Sequence, residues 1–538
     1  MCKNNVKKDY LCMLSKSPKK LKTYIMKKIL LLACCGLWLS SAAFAQDAVT
    51  KKIIELGTTE NQTTELLDVL SNRIGGRLIG SDAYNNAVTW TASKFKEWGL
   101  EVSIEEAGEL PVGFNRGPWF GRMLSEDGMT LHFATPSYTS GTKGVQVGHV
   151  LIEPKSRDEM ARMKGALKGA WVLISGTSSG RPIDHSPAGD SLRLRVMAYN
   201  DSIANINRSI MMENRQNGTN KPMLPLRDEP ALFYKEMREA GILGIIQSSK
   251  VPITALSDRN VAMNPKMTFE TLPTIPDIKL DEHQYKIIYQ KALERRTFFL
   301  EFDIRNHFKP GPVKYHNVVG KIKGTKYPDE YVMVSGHLDA YDVATGGVDC
   351  GVGVTPAMEA ARLIMKAGGK PKRSILFCLF AGEEFGLLGA FAWVKAHEKE
   401  LDKISNLFNR DGGPTVPNSI SVPEAMYDDF VKVCAPINSI NPDFPFEVRK
   451  STPRPRPTTT GGTDASVFAL NGVPTFGFGL VDSKGYNFNY GEIWHTERDT
   501  FNKSIPEYQE HTSIVTAVVA YGLANLDHLL SRKGMYSN

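Results

Sequence analysis

The stretch that decides the fold is residues 374–389, which read SILFCLFAGEEFGLLG. The apolar run from Ser374 to Phe380 predicts a strand that is buried on both faces. Two adjacent carboxylates, Glu383 and Glu384, follow where that strand leaves the core. A lone acidic pair is usually solvated surface, but at the end of a core strand one acid can bind a metal ion while its neighbour transfers a proton.

The alternation of strand, loop and helix continues on both sides of this stretch, from about residue 310 to the end of the chain. Such alternation predicts an α/β fold with a mixed, mostly parallel sheet sandwiched by helices. Strands are predicted at Tyr331–Ser335, Ser374–Phe380, Ile404–Phe408 and Val473–Leu480, and helices at 62–100, at Pro356–Ala367, at Leu387–His397 and from Pro506 onward.

Other metal-binding side chains also stand where apolar runs end. His337 follows YVMVSG, Asp349 lies twelve residues later, Asp411 follows ISNLFNR, and His495 lies in EIWHTERDT. Loops at the carboxyl ends of parallel strands converge on one crevice, so we expect these side chains to meet. Imidazole and carboxylate donors suit zinc, and with Glu384 they exceed the four ligands of one tetrahedral ion. The surplus predicts two ions that share a bridge, with one acid left for proton transfer.

Each of these residues also has a simpler interpretation when it is considered alone. His337 would serve as an ordinary core histidine, and Asp349 as the N-cap of the helix that follows it. Asp339 lies on the same side of an extended segment as His337 and can accept its second ring N–H. The combination, rather than any single residue, favours a hydrolase.

The combination resembles the co-catalytic zinc exopeptidases. The residues that carry the resemblance are Gly336-His337-Leu338-Asp339, Asp349, the stretch AGEEFGLLG at 381–389, Asp411 and His495-Thr496. This family includes secreted bacterial aminopeptidases, carboxypeptidase Q and glutamate carboxypeptidase, with the transferrin receptor as a relative that has lost catalysis. The resemblance spans most of residues 60–135 and 305–535, including Arg77 and Gly80-Ser81.

The resemblance implies a role for each residue of the site. Asp349 would bridge two Zn²⁺ ions per chain, with Co²⁺ or Mn²⁺ as alternative metals. Glu384 and His495 would complete one ion's site, and His337 and Asp411 the other. Glu383 would be the general base, and Asp339 would orient His337. The family also has a cis peptide bond after the bridging aspartate.

Two positions near the expected site stand apart from this pattern. The family usually has a second acid after the bridge, where this chain has Cys350, so the hydrogen bonds around the site or its sensitivity to oxidation would change. Asp464, in GGTDAS, matches a family acid near the metals, with helix N-capping as the alternative.

Two loops are candidates for contact with the substrate. Tyr486 and Tyr490 lie in the loop before His495 and would line a pocket for a substrate side chain, with ordinary packing as the alternative. Arg454 and Arg456 would attract a substrate carboxylate, with solvated loop arginines as the alternative.

These observations predict a secreted two-zinc exopeptidase acting on peptides or dipeptides, with aminopeptidase as the leading interpretation. A carboxypeptidase or dipeptidase similar to carboxypeptidase Q is the second interpretation. A single-zinc glutaminyl cyclase and a non-catalytic receptor-like protein are further alternatives. The oligomeric state is undecided, and a homodimer is one candidate.

The first 45 residues have the anatomy of a secretory signal. Met26-Lys27-Lys28 precedes the apolar run Ile29–Leu39. Ala43-Phe44-Ala45 follows that run and has the small-x-small pattern of a secretory cleavage site. The run is too short to span a bilayer, so we expect export to the periplasm or the medium, with a lipoprotein anchor at Cys34 as a minor alternative. The leader holds nine lysines and one aspartate, so the net charge falls from +7 to −1 on its removal. Nothing in that balance argues for nucleic acid.

The remaining chain divides into two predicted domains. A β-rich insert similar to a protease-associated domain is predicted over residues 140–305, between peptidase parts at 46–139 and 306–538. Its predicted strands are Val145–Ile152, Ala170–Ile174, Ile242–Gln247 and Thr297–Ile304, separated by polar loops and by a helix at Leu280–Arg296. Cys350, Cys378 and Cys434 are too few for a disulfide framework, so a large core must hold the fold.

Overall fold

The structure, a computed structural model, describes residues 48–125, 128–184 and 186–537. The predicted signal peptide therefore lies outside the described residues. The chain forms a mixed α/β fold, as the sequence predicted. No helix among the described residues carries an apolar stretch long enough to span a membrane.

Strands are numbered here in chain order. They are β1 Glu101–Asn115, β2 Trp119–Leu124, β3 Phe133–Ala134, β4 Gln146–Ile152, β5 Ala170–Ser178, β6 Gly244–Ser249, β7 Asp277–Asp281, β8 Phe299–Ile304, β9 His307–Ile322, β10 Tyr327–His337, β11 Arg373–Phe380, β12 Ile404–Asn409, β13 Val416–Val422, β14 Glu447–Lys450, β15 Thr475–Phe476 and β16 Phe478–Val481.

Helices flank these strands through most of the chain. The α-helices are 48–59, Thr63–Leu67, Asp82–Glu97, Arg157–Met163, Pro187–Asn217, Tyr234–Glu239, Arg259–Ala262, Glu282–Leu293, Gly351–Lys366, Leu388–Ala396, Tyr427–Cys434, Ala465–Leu470 and Pro506–Ala524, and Asp68–Ile74 is a π-helix.

The first sheet has the order β1-β9-β11-β10-β12-β15. Its last four strands are parallel, whereas β1 and β9 pair antiparallel. Every residue of β11 is buried, as its apolar run predicted. In the register, His337 lies opposite Phe380 and Ser335 lies opposite Asn409, so β10, β11 and β12 end at one edge. The loops that carry the expected ligands therefore begin side by side.

Alternating residues of β10 show that helices cover both faces of this sheet. Val332 and Val334 belong to the main core with the helices Gly351–Lys366 and Pro506–Ala524. Met333 points the other way, into a second cluster with Trp393 of the helix Leu388–Ala396. A strand with both faces apolar is stable only when covered in this way.

A second sheet has the order β2-β8-β4-β5-β6-β7-β3 and lies within residues 119–304. Strands β4 to β7 are parallel, and the outer pairs are antiparallel. Because β2 and β3 precede residue 140, this sheet takes in more chain than the predicted insert. The domain boundaries and the likeness to a protease-associated domain stay predictions.

Some predicted elements differ from the structure. The helix predicted across residues 62–100 is broken between Ile74 and Asp82, where Gly75 and Gly80 have positive φ. The strand predicted at Val473–Leu480 is two short strands, β15 in the first sheet and β16 in a small sheet with β13 and β14. Part of the predicted polar loop before β6 is the helix Pro187–Asn217, whose residues are mostly exposed and whose buried positions include the polar residues Arg193 and Asn200, so its apolar period is weak.

Candidate active site

Asp349 lies between two histidines and points one carboxylate oxygen at each. Its Oδ1 is 3.0 Å from Nε2 of His337, and its Oδ2 is 3.6 Å from Nε2 of His495. His337 is at the end of β10 and Asp349 is in the loop before the helix Gly351–Lys366, whereas His495 comes from a distant loop. A carboxylate shared in this way can bridge two ions.

Each histidine also faces a second acid. Nε2 of His337 lies 3.5 Å from Oδ1 of Asp411, and Nε2 of His495 lies 3.0 Å from Oε2 of Glu384. The structure thus brings all five sequence-predicted ligands together as two histidine–acid pairs around Asp349. They derive from β10, β11, β12 and two loops, as expected for the carboxyl edge of the sheet.

The donor atoms fit zinc. His337 is only 1% exposed, and Oε1 of Glu384 is buried without a hydrogen-bond partner among the described residues. A buried carboxylate oxygen without a partner is costly unless a cation satisfies it. Nδ1 of His337 lies 2.9 Å from the carbonyl oxygen of Asp339, which can only accept, so Nε2 keeps its lone pair for a metal.

Asp339 contacts the acidic loop more closely than it contacts His337. Its carboxylate accepts the main-chain N–H of Glu383 at 3.1 Å and that of Glu384 at 3.3 Å. The same carboxylate is 3.7 Å from Nδ1 of His337, beyond hydrogen-bond length. The resemblance implied that this side chain orients His337, but the main-chain oxygen makes that contact. The carboxylate instead fixes the two glutamates.

Glu383 lies beside the pairs rather than within them. In the metal-free protein burial, reinforced by the nearby Glu384 and Asp411 carboxylates, raises the pKa of Glu383 to about 9. A divalent cation favours the charged form of an adjacent carboxyl group, so ion binding lowers that pKa. Asp464 is buried at the N-cap position of the helix Ala465–Leu470, but its side chain makes no capping hydrogen bond. Burial together with Glu383 raises its pKa well above the usual range.

The loop that carries Asp349 is held by residues to which the sequence analysis gave no role. Asp499 accepts the main-chain N–H of Val348 at 2.7 Å and that of Asp349 at 3.2 Å. Arg77 is buried and donates to the carbonyl oxygens of Leu338, Thr345 and Gly346. Asp499 lies four residues after His495, but only the folded chain shows that it contacts Asp349. The Asp349–Cys350 bond is cis, as the resemblance implied.

Cys350 places a thiol beside the site. Its Sγ donates to the carbonyl oxygen of Arg410 at 3.2 Å, and it lies within 4.8 Å of the donor atoms of His337 and Asp411. Burial raises the pKa of this thiol, so in the metal-free protein it is neutral.

The two candidate tyrosines, Tyr486 and Tyr490, lie in different surroundings. Tyr490 is partly buried and packs against Val348 and Val352, which flank Asp349 in the chain. Burial together with the Asp349 and Asp411 carboxylates raises its pKa. Tyr486 is exposed, and its hydroxyl contacts Glu507 in the helix Pro506–Ala524. It lines a cavity of about 570 Å³ that none of the five ligands borders. The structure therefore brings Tyr490 to the site and leaves Tyr486 outside it.

The second sheet also reaches the site, which the sequence gave no means to foresee. Thr254, in the chain after β6, forms an isolated bridge with Thr496, next to His495. Glu497 exchanges main-chain and side-chain hydrogen bonds with Ile253 and accepts from His132 at 2.8 Å. Arg259, further along the same segment, donates to the carbonyl oxygen of Glu384.

Comparisons with known proteins agree with this site. The model of peptidase family M28 matches residues 317–519. Carboxypeptidase Q of Rattus norvegicus is 30% identical over 506 residues, which cover 90% of each chain. Carboxypeptidase Q of Mus musculus is 24% identical over 501 residues, or 90% of this chain and 91% of the relative.

Solved structures share the fold. A peptidase M28 precursor from Shewanella amazonensis superposes with a TM-score of 0.55 at 21% identity, over 91% of this chain and 98% of its own. BSAP, a zinc aminopeptidase from Bacillus subtilis, gives a TM-score of 0.50 at 15% identity, over 89% and 98%. With its ligand-bearing half inside the family match and a relative similar along nearly its whole length, the chain belongs to peptidase family M28 and is a zinc metallopeptidase.

Proposed function

We propose that the protein is an exopeptidase that works with two zinc ions held by His337, Asp349, Glu384, Asp411 and His495. The observation that carries this proposal is the position of Asp349, with one oxygen directed at each histidine. A single tetrahedral ion needs neither the bridge nor the second histidine–acid pair. This arrangement favours a two-metal hydrolase over the single-zinc cyclase alternative.

The side chains around the ligands would divide the work of hydrolysis. Zinc, when bound, supplies Lewis-acid activation of water and of the scissile carbonyl group. Glu383 accepts the proton of the attacking water and passes it to the leaving amine, as a general base and then a general acid. Asp339 keeps Glu383 in place through its main-chain N–H, and Asp499 keeps the Asp349 loop in place.

The leading interpretation from the sequence is an aminopeptidase. It is supported by the fold that this chain shares with BSAP, a zinc aminopeptidase. The second interpretation, a carboxypeptidase or dipeptidase, is favoured by the similarity to carboxypeptidase Q, which extends over the second sheet as well. A dipeptide has one peptide bond next to both termini, so it serves as a substrate in either case. We propose dipeptides and other short peptides as the substrate class, and export by the leader as the route to them.

A Glu383→Gln variant tests the proposed base. We expect kcat on a panel of short peptides to fall by roughly 10²- to 10⁴-fold, because the amide cannot accept a proton. Zinc content, measured by elemental analysis, should remain two ions per chain. Glu398→Gln, on the surface after the helix Leu388–Ala396, is the matched control. Undiminished hydrolysis would remove Glu383 from its role, and one zinc per chain with ammonia release would favour a cyclase.

A further inference from the structure

We propose that Tyr341 is a positioning residue for the metal ligand His495, whose imidazole ring it holds by aromatic packing in place of a hydrogen bond. Tyr341 acts through the histidine and not on the substrate. This inference rests on the proposed function, because it concerns the zinc ion that Glu384 and His495 would bind. It adds to the site a residue to which the sequence analysis gave no role.

The two histidines of the site are fixed in different ways. Nδ1 of His337 has a hydrogen-bond partner, the carbonyl oxygen of Asp339 at 2.9 Å. Nε2 of His495 faces Glu384 at 3.0 Å, but no group in the described part of the chain forms a hydrogen bond with its Nδ1. A metal-bound histidine usually donates its second ring N–H to an acceptor that sets the orientation of the ring. His495 lacks such an acceptor in the protein, so another contact must set its orientation.

Two aromatic rings contact the imidazole of His495. The ring centroid of Tyr341 lies 4.6 Å from that of His495 at an interplanar angle of 58°, and the Trp494 ring stacks on the imidazole at 4.1 Å. Trp494 is the preceding residue and is 53% exposed, so it moves with the loop and cannot fix the histidine relative to the other ligands. Tyr341 belongs to a different loop, the one between His337 and Asp349. It is therefore the ring that can hold His495 against the rest of the site.

Tyr341 is itself firmly anchored. Its side chain is 6% exposed and belongs to the main core cluster. The main-chain N–H of Ala340 donates to the carbonyl oxygen of Arg77 at 3.3 Å, and the carboxylate of Asp342 is held by Arg116 in the buried ion pair between them. Because the residues on both sides are fixed, the Tyr341 ring cannot move away from His495 without breaking core contacts.

The main chain of His495 also needs external support. Its φ is 58°, in the left-handed region that a residue with a Cβ seldom adopts. Such a conformation persists only when surrounding contacts hold it. The hydroxyl of Thr496 donates to the carbonyl oxygen of Glu492 at 2.8 Å, and Thr496 forms the bridge to Thr254. These contacts hold the main chain of the loop, whereas Tyr341 holds the ring.

Ring packing of this kind favours the metal-bound histidine. Tilted aromatic pairs bring the positive edge of one ring towards the electron-rich face of the other. A cation bound at Nε2 of His495 withdraws electron density from the imidazole, which strengthens its attraction to the phenol ring of Tyr341. Loss of the ring should therefore lower the affinity for metal, and not only the stability of the fold.

The test is a titration of zinc onto the metal-free protein in competition with a chelating dye. Wild type should bind two ions. In Tyr341→Leu the affinity for one ion should fall roughly 10- to 100-fold, as expected when a partner that orients a ligand is removed, and the affinity for the other should change little. Tyr341→Phe keeps the ring and should restore the wild-type affinity. Tyr521→Leu, at a buried tyrosine of the same core cluster in the helix Pro506–Ala524, is the matched control.

A spectrum and a rate add measurements that a general loss of stability would not change. Co²⁺ replaces Zn²⁺, and its visible absorption depends on ligand geometry, so the spectrum of the two-cobalt protein should change in Tyr341→Leu and return in Tyr341→Phe. Peptide hydrolysis by Tyr341→Leu should fall in kcat at limiting zinc and recover when zinc is added. Melting temperatures show whether each variant is folded. If Tyr341→Leu does not fold, Tyr341→Met takes its place, because methionine fills irregular gaps.

The outcomes separate this inference from the proposed function. Loss of affinity for one ion that is confined to Tyr341→Leu and reversed in Tyr341→Phe supports the inference. Two tightly bound ions and an unchanged cobalt spectrum in Tyr341→Leu overturn it and leave the exopeptidase proposal standing. An equal loss in Tyr341→Phe or in Tyr521→Leu also overturns it, because the hydroxyl or general packing would then carry the effect. One zinc ion per wild-type chain contradicts the proposed function instead.

Discussion

Removal of Arg116 should destabilise the protein strongly, because it breaks a buried ion pair that holds the loop between His337 and Asp349. Arg116 lies between β1 and β2, where the chain passes from the first sheet to the second. Its guanidinium atoms Nε and Nη2 donate to Oδ1 of Asp342, at 3.0 Å and 2.8 Å respectively. The Arg116 side chain is 5% exposed and the Asp342 side chain is 6% exposed. Arg116→Ala leaves the Asp342 carboxylate buried without its cation.

The expected loss is about 3–5 kcal/mol of unfolding free energy, the range found when one partner of a buried pair is removed. Urea unfolding of the metal-free protein, followed by tryptophan fluorescence, measures it. Arg122→Ala is the matched control, since Arg122 pairs with Glu301 at 2.8 Å but is 47% exposed, and it should cost about 0–1 kcal/mol. Replacing both partners in the double variant Arg116→Met, Asp342→Leu should recover part of the loss, because no buried charge remains but the Thr135 and Ser137 hydroxyls still lack the arginine donor. A cost for Arg116→Ala as small as that of the control would refute this reasoning.

The remaining predictions concern the site and its attachment to the second sheet. Asp339→Asn should lower the free energy of unfolding by about 1–3 kcal/mol and weaken zinc binding, because an amide has one acceptor oxygen for the two main-chain N–H groups of Glu383 and Glu384. Urea unfolding and zinc titration measure the two effects, and unchanged values in both would contradict this prediction. Zinc should raise the melting temperature, because ions relieve the repulsion among the acids around Asp349, and equal melting temperatures with and without chelator would argue against the site. Hydrogen bonds to Asp281 and Glu497 outweigh burial and raise the pKa of His132 above 6.5. Its stabilising contribution is present below pH 6.5 and is lost as the pH rises through the raised pKa, so the gap in urea midpoint between wild type and His132→Gln should be largest at about pH 6 and shrink as the pH rises, whereas a gap that does not change with pH would disprove this linkage.

Much of the fold could be predicted because its signals are local. The strand ending at Phe380 is apolar throughout, so its burial on two faces follows from its own residues. The helix from Pro506 begins where a proline favours a first turn. The helix Pro187–Asn217 gave a weaker signal, because most of its side chains face water and its buried stripe is interrupted by the polar residues Arg193 and Asn200.

The ligands of the candidate site were also predictable in kind, but the contacts that fix them were not. A polar residue directly after a core strand is visible in the sequence, and His337 and Asp411 are two such residues. Asp499 and Arg259 act on residues far from them in the chain, on Asp349 and Glu384, and no local pattern encodes those pairs. Asp339 shows the same limit, since its neighbour in sequence is His337 but its carboxylate bonds to the loop after β11.

The sequence by itself determined which donors exist and that His337, Glu384 and Asp411 follow core strands, because strand burial and residue type are properties of short segments. Only the tertiary structure decided how those donors pair around Asp349, that Asp339 serves the acidic loop, and that the second sheet contributes Arg259. These outcomes depend on the register of neighbouring strands and on contacts between distant segments, and such contacts form only when the whole chain packs.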